Sequence, residues 1–380
     1  MTSHAFDLEV ALPRLSGCLK GGVWSRRART ELSNDYLKSL LFELRRWADD
    51  RRWTYRSVRS VTFKLERDGL EPRAIGELVG AIQRTFAFLP GCRITCESLP
   101  RFADEFSPLV ENGIERFFLP VVSFDKKTLR AEGGALDAAT ARSLIEGAMS
   151  AGFGAVAVKL IFGSPGQTVG EFRTDLSRLI VHTPHEVIFS PSNGRRKLGR
   201  RSLAVDQLTK MKGIIEAVMG GLGYEESRLH HYVRGEASVV PEDNIADGHR
   251  LGIGAGGMTV TTDGLGRRIV ARNAEGPREY MWALARDGRA WRTEEALTPE
   301  EEIGAVITEM FYRRSGLDLG AIERRFGIDV ERACPGVLEV LIDAAFVRRS
   351  GDEIALTKAG HVAIDDVVAQ FRGSFAGAAV

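Results

Sequence analysis

Cysteines, histidines and a few charged clusters are the side chains through which this sequence could do chemistry. Cys18 stands at the head of a three-then-two spacing whose next positions hold Gly22 and Ser25. Cys92 and Cys96 have a metal-like spacing, but two thiolates are half a site, and a pair of buried thiols at a strand edge is the competing reading. Histidine occurs at 4, 182, 185, 230, 231, 249 and 361, with His230-His231 beside Tyr232 as the most suggestive pair. Adjacent side chains of an extended segment point in different directions, so this pair is not a chelate by itself. Arg195-Arg196-Lys197 with Arg200-Arg201 places five cations within seven residues. Such a loop suits carboxylates, phosphates or an acidic protein surface; a solvated loop is the alternative. Phe162 to Thr168 lacks the terminal Gly-Lys-Ser/Thr of a phosphate loop, so it reads as a tight turn at a strand end, with Gln167 or Thr168 facing a cavity.

These residues must be positioned by a chain of 380 residues, 44% hydrophobic and 27% charged, which is enough for one large core and a smaller domain. A net charge of +1 gives no reason to expect a nucleic-acid partner. Four scattered cysteines exclude a disulfide scaffold. The first residues lack the layout of a secretory signal, and no window is long and apolar enough to cross a membrane, so a cytoplasmic location is expected.

Periodicity supplies the elements. Asn34 or Asp35 is expected to cap a helix carrying Tyr36, Leu37, Leu40, Leu41, Leu44 and Trp47. A strand at 60–63 precedes a helix over 72–86 that starts on Pro72. Strands are expected at 92–96, 117–122, 155–161 and 187–189, alternating with helices at 103–112, 138–151, 169–180 and 203–221. This rhythm argues for a mostly parallel sheet covered by helices, with ligands at the carboxyl ends of the strands. Residues 223–297 read as a glycine-rich closing segment. Helices near 299–313, 318–326 and 330–344, then a hairpin around Ser350-Gly351-Asp352 and a last helix from Thr357, resemble a winged helix over 298–380. Mixed charge there favours a packing or lid role over DNA binding.

Several landmarks in order carry a family resemblance: Val122-Ser123-Phe124-Asp125, Leu160 to Thr168, Gly223-Tyr224-Glu225, Leu251 to Gly257, and Arg272-Asn273 with Tyr280. On these, over roughly residues 10–370, the sequence resembles the oxygen-independent coproporphyrinogen III oxidases and heme-chaperone relatives of the radical S-adenosylmethionine (SAM) superfamily. The resemblance implies an α/β fold, a partial (β/α)6 TIM-like barrel over 31–222, with the winged-helix-like domain behind it.

In that family three cysteines hold a 4Fe-4S cluster whose open iron takes SAM. Here those positions are Cys18, Gly22 and Ser25, in a degenerate cluster loop over 1–30, and one thiol does not suffice. The family's glycine-rich turn falls near Lys64 to Gly69, where bulky and charged side chains block close backbone approach. Its acidic residue survives as Glu97. Its glutamine is Val122, its arginine falls near Gly134, and its aspartate is Lys159. Each buried polar group left unpaired costs about 1–3 kcal/mol, so neither the cluster nor SAM is expected.

The resemblance leaves an anionic metabolite or a tetrapyrrole as the expected ligand, without radical chemistry. Heme is a further alternative, with His230 or His231 as an axial ligand. Glu97 and Lys159 either form a salt bridge that plugs the vacated cavity or act as acid and base on a new ligand. Glu66, Arg67 and Asp68 could join either arrangement. Ser123, Gln167, Thr168, Arg195, Arg196 and Lys197 complete the candidate ligand contacts, the basic ones matching propionates. Two alternatives stand beside this: a nonradical enzyme of specialised metabolism, and a structural or regulatory partner of a pathway enzyme.

Overall fold

The computed structural model describes residues 5–15, 26–66, 70–100, 105–192, 205–235, 248–263 and 267–378. Cys18, Gly22, Ser25, Arg67, Asp68, Arg195, Arg196 and Lys197 lie outside the described residues. The strands, in chain order, are β1 (Ala5–Leu12), β2 (Ser57–Leu65), β3 (Phe88–Ser98), β4 (Arg116–Val122), β5 (Ala155–Phe162), β6 (Glu186–Pro191), β7 (Glu225–Arg228), β8 (His231–Val233), β9 (His249–Ile253), β10 (Met258–Thr262), β11 (Arg268–Asn273), β12 (Trp291–Ala296), β13 (Leu317–Asp318), β14 (Val347–Ser350) and β15 (Glu353–Leu356).

Two compact units interleave along the chain: Met1–Pro120 with Ser143–Ala157 and Val240–Ala296, and Val121–Arg142 with Val158–Val239 and Leu297–Val380. In the first unit the strand order is β12-β11-β10-β9-β1-β2-β3-β4. The run β9-β1-β2-β3-β4 is parallel, and β10 to β12 extend it antiparallel. Parallel strands need crossovers, which the helices Arg26–Ala48 and Pro72–Thr85 supply between β1, β2 and β3. The second helix has Pro72 in its first turn and buries Ile75, Leu78, Val79 and Ile82 on one stripe.

In the second unit β5-β6-β8-β7 are neighbours in that order, with β8 antiparallel to both β6 and β7. The helix Val169–Ile180 opens on a reciprocal cap, where Thr168 Oγ1 accepts from Glu171 N and Glu171 accepts from Thr168 N. Beyond residue 298, β13-β15-β14 form a small antiparallel sheet beside paired helices Pro299–Tyr312 and Ile364–Ala378.

Three local expectations change. The first helix starts at Arg26, so Asn34 and Asp35 sit inside it, where Asp35 accepts from Lys38 one turn on. The helix expected over 330–344 is two, Val330–Ala333 and Val337–Asp343. Pro335 lacks an N–H and Gly336 sits at φ +76°, which breaks it. A helix at Lys126–Glu132, not foreseen, is capped by Asp125, whose carboxylate accepts from Thr128 N at 2.8 Å.

Candidate binding site at the strand ends

Alternation along the parallel strands of the first unit separates two faces. Leu8, Val10, Val61, Phe63, Cys96 and Phe117 share one register face and are buried. On the opposite face Glu9, Thr62, Glu97 and Phe118 are half-buried and Lys64 is exposed. Lys64 Nζ lies 2.8 Å from Glu9 Oε2, so a salt bridge occupies this strand end. Glu97 is next to Lys64 in register and makes no hydrogen bond or ion pair among the described residues. Glu66 is exposed and accepts from Arg14 N at 3.2 Å, which ties off the end of β2. Cys96 faces the apolar layer, away from Glu97, and burial pushes its thiol up to about 12. Burial and the nearby Glu115 push the Cys92 thiol up to about 12 as well. Neither is a ready thiolate ligand.

In the second unit β4 ends in a strained turn. Val122 has φ +74°, a region that a β-branched side chain scarcely enters. Ser123 N donates back to Val121 O at 3.0 Å, closing a three-residue turn around it. The strain costs about 1–3 kcal/mol and must be held by its surroundings. What it achieves is placement of Ser123, which is fully buried and donates a short hydrogen bond to Asp175 Oδ2. Phe124 N donates to Asp175 Oδ1 at 3.3 Å, and burial raises the Asp175 carboxyl above its ordinary range despite these donors.

Gly134 lies against this turn. A Cβ there would meet Leu129 Cδ2 at 2.4 Å and Val122 Cγ1 at 3.4 Å. The two positions where the family's glutamine and arginine were expected are therefore neighbours, and an arginine at 134 has no room with Leu129 where it is.

The loops after β5 and β6 converge on Glu132. Its Oε1 accepts from Ser164 Oγ and from Ser192 Oγ, each at 2.6 Å. Gly163, at φ +76°, makes the turn; a Cβ there would strike Leu208 at 2.0 Å. Gln167 is 3% exposed, and its Oε1 accepts from Gly163 N and Ser164 N while its Nε2 has no partner. Thr168 is exposed and spends its hydroxyl on the helix cap. Lys159 is half-buried on β5 and makes no hydrogen bond or ion pair among the described residues. Glu97 and Lys159 belong to different units.

His230 and His231 point apart, as their adjacency requires. His231 Nε2 is 3.0 Å from Glu186 Oε2, and His230 Nε2 is 2.9 Å from the His361 carbonyl. His230 sits at φ +64° and its N–H donates to Glu226 Oε1 at 2.7 Å. Burial, then the Lys212 ammonium, push its imidazole down to about 4. Lys212, 1% exposed, donates to Glu226 in a short bond and to Tyr232 Oη at 2.8 Å. Burial lowers the Lys212 ammonium; burial alone would raise Glu226, but Lys212 brings it below its ordinary range.

Another network lies in the first unit. Glu43, 2% exposed, accepts from Gly254 N at 2.9 Å, Asn273 Nδ2 at 2.9 Å and Tyr280 Oη at 2.6 Å. The glycine-rich run and the Asn273 and Tyr280 landmarks thus meet on one buried carboxylate. Gly254 at φ +90° leaves only 2.4 Å between a Cβ and Ala11 O, so the close approach requires glycine. Glu132 and Glu43 were both missed in the sequence. Glu43 left a signal, since it falls on the Tyr36, Leu40, Leu44, Trp47 stripe; Glu132 left none.

Among the described residues no group of three or more His, Cys, Asp and Glu side chains could hold a metal ion. The positions that the resemblance assigns to the cluster ligands, Cys18, Gly22 and Ser25, lie outside the described residues. No helix among the described residues is long and apolar enough to cross a membrane.

No protein-family model matches the chain. The oxygen-independent coproporphyrinogen III oxidase of Bradyrhizobium diazoefficiens is 24% identical over 337 residues, 80% of this chain and 72% of that protein. The heme chaperone HemW of Bacillus subtilis is 22% identical over 283 residues, 71% of this chain and 73% of that protein. The structure of coproporphyrinogen III oxidase (HemN) from Escherichia coli, a radical SAM enzyme, matches with a TM-score of 0.73 at 19% identity, covering 97% of this chain and 90% of that one. The chain is similar in sequence to these coproporphyrinogen oxidase and heme-chaperone proteins, and its fold is the radical SAM α/β fold of coproporphyrinogen III oxidase.

Proposed function

We propose that this protein is a cofactor-free derivative of that fold, binding a tetrapyrrole or another small anionic metabolite without a cluster and without cleaving SAM. The observation that carries the proposal is the pair Gly22 and Ser25 at the positions where the family presents thiolates. Support comes from the strained Val122 packed against Gly134 and, in the first unit, from the Lys64–Glu9 salt bridge near the end of β2. The tetrapyrrole follows from the relatives, one named for coproporphyrinogen and one for heme. Lys159 would meet a propionate from β5, with Gln167 Nε2 as the spare donor beyond that strand; Arg195, Arg196 and Lys197 would add charge. Anaerobic reconstitution with iron and sulfide, followed by iron counting, tests the proposal. Substoichiometric iron is expected; a stoichiometric four-iron count overturns it.

A second reading is favoured by Lys159, half-buried in the second unit with no side-chain hydrogen bond or ion pair among the described residues. An amine left free is available for acid–base chemistry on a bound metabolite, as a nonradical enzyme would need. In that case Lys159→Met abolishes turnover while leaving binding of the same metabolite. A role as partner of a pathway enzyme would rest on the basic residues 195–201.

A further inference from the structure

The first unit carries a cleft separate from the strand ends. It lies between the end of helix Arg26–Ala48, the helix Pro277–Asp287 and the chain leading into β12, and is lined by Glu43, Arg46, Trp47, Asp50, Leu284 and Arg289, among others. Its acids are already engaged. Glu43 accepts three hydrogen bonds, and Asp50 is gripped by Arg52, whose Nε and Nη2 lie 3.0 and 2.7 Å from its two oxygens.

Its cations are less so. Arg46 and Arg289 are exposed, and neither side chain makes a hydrogen bond or ion pair among the described residues, although the Arg289 charge helps Arg52 to hold the Asp50 carboxyl below its ordinary range. The Arg46 guanidinium lies over Gly288, at φ +64°, 3.8 Å from where a Cβ would stand. Trp47 is 8% exposed, and its indole N–H faces Glu43 too loosely to complete a hydrogen bond, which leaves a buried donor without a partner. What the cleft has to spare is two guanidiniums and an N–H, all donors. Donors without acceptors select an oxyanion.

We propose that this cleft is a binding site for a small oxyanion, a phosphate group or a carboxylate, held by Arg46 and Arg289 with Trp47 Nε1 completing the contact. The site does not depend on what the strand ends bind. Its reporter is built in, because the Trp47 ring is 5.2 Å from Trp291 and 6.5 Å from Trp53, and a ligand on Trp47 changes the emission of this cluster.

The test is a fluorescence titration of the full chain with inorganic phosphate, and in parallel with acetate, at constant ionic strength set with sodium chloride. A saturable change is expected, weakened at least tenfold in the Arg46→Gln/Arg289→Gln double variant. Both side chains are exposed, and circular dichroism checks that the variant is folded. Tighter phosphate than acetate binding assigns a phosphate ligand, and the reverse assigns a carboxylate. A change that never saturates, one that chloride alone reproduces, or saturation unchanged in the double variant overturns the proposal.

Discussion

Replacing Glu43 with alanine should destabilise the first unit far more than a typical helix substitution. Three donors converge on its carboxylate: Gly254 N, Asn273 Nδ2 and Tyr280 Oη. Asn273 Nδ2 keeps a second acceptor in Gly254 O at 2.9 Å, so two donors are stranded. At about 1–3 kcal/mol for each buried, unsatisfied donor, the gross cost is roughly 2–6 kcal/mol. Burial raises the Glu43 carboxyl above its ordinary value, so the ionised group is held at a cost that the alanine variant recovers. The net loss should be about 2–4 kcal/mol. Tyr280→Phe removes one donor together with its hydroxyl and strands nothing, so about 1 kcal/mol is expected. The assay is denaturant unfolding followed by tryptophan fluorescence. The tryptophans among the described residues, Trp47, Trp53, Trp282 and Trp291, all belong to the first unit, so the signal reports on it. A Glu43→Ala loss under about 0.5 kcal/mol, or one no larger than that of Tyr280→Phe, would show that the carboxylate does not hold these donors together.

Two further outcomes follow from the second unit. Val122→Asn should be neutral or stabilising by up to about 1 kcal/mol, because asparagine tolerates the positive φ that valine resists; thermal unfolding by circular dichroism checks this, and a loss of more than about 1 kcal/mol counts against the strain. His230 titrates near 4 when folded, against 6.5 ordinarily, through burial and then Lys212, with Glu226 and the His361 carbonyl opposing and His361 itself adding a smaller downward push. The unfolded chain therefore binds the proton first. This contribution to stability is intact above 6.5 and lost as pH falls toward 4, about 2 kcal/mol between pH 7 and pH 5. His230→Asn keeps the left-handed turn and should flatten that acid loss; an unchanged pH dependence would show that other groups set it.

Much of the frame was legible because local chemistry dictated it. Pro72 with its apolar stripe and the turn at Gly351 each fix an element from within a few residues. Across residues 330–344 the helical period runs on through Pro335, while the proline breaks the segment into two helices. The site was less legible. Glu132 gathers hydroxyls from two loops 32 and 60 residues away, and no spacing rule reaches that far. The family landmarks Asn273 and Tyr280 marked real positions, but the carboxylate that unites them lies 230 and 237 residues earlier. Val122 shows the limit in the other direction: the residue was noticed as a departure, while its backbone strain depends on packing that the sequence does not spell out.

We propose that this radical SAM fold works without a cluster, and the Mössbauer spectrum of anaerobically reconstituted protein tests that. Only adventitious iron is expected, unchanged by adding SAM. A stoichiometric four-iron cluster signal, altered when SAM is added, would contradict it.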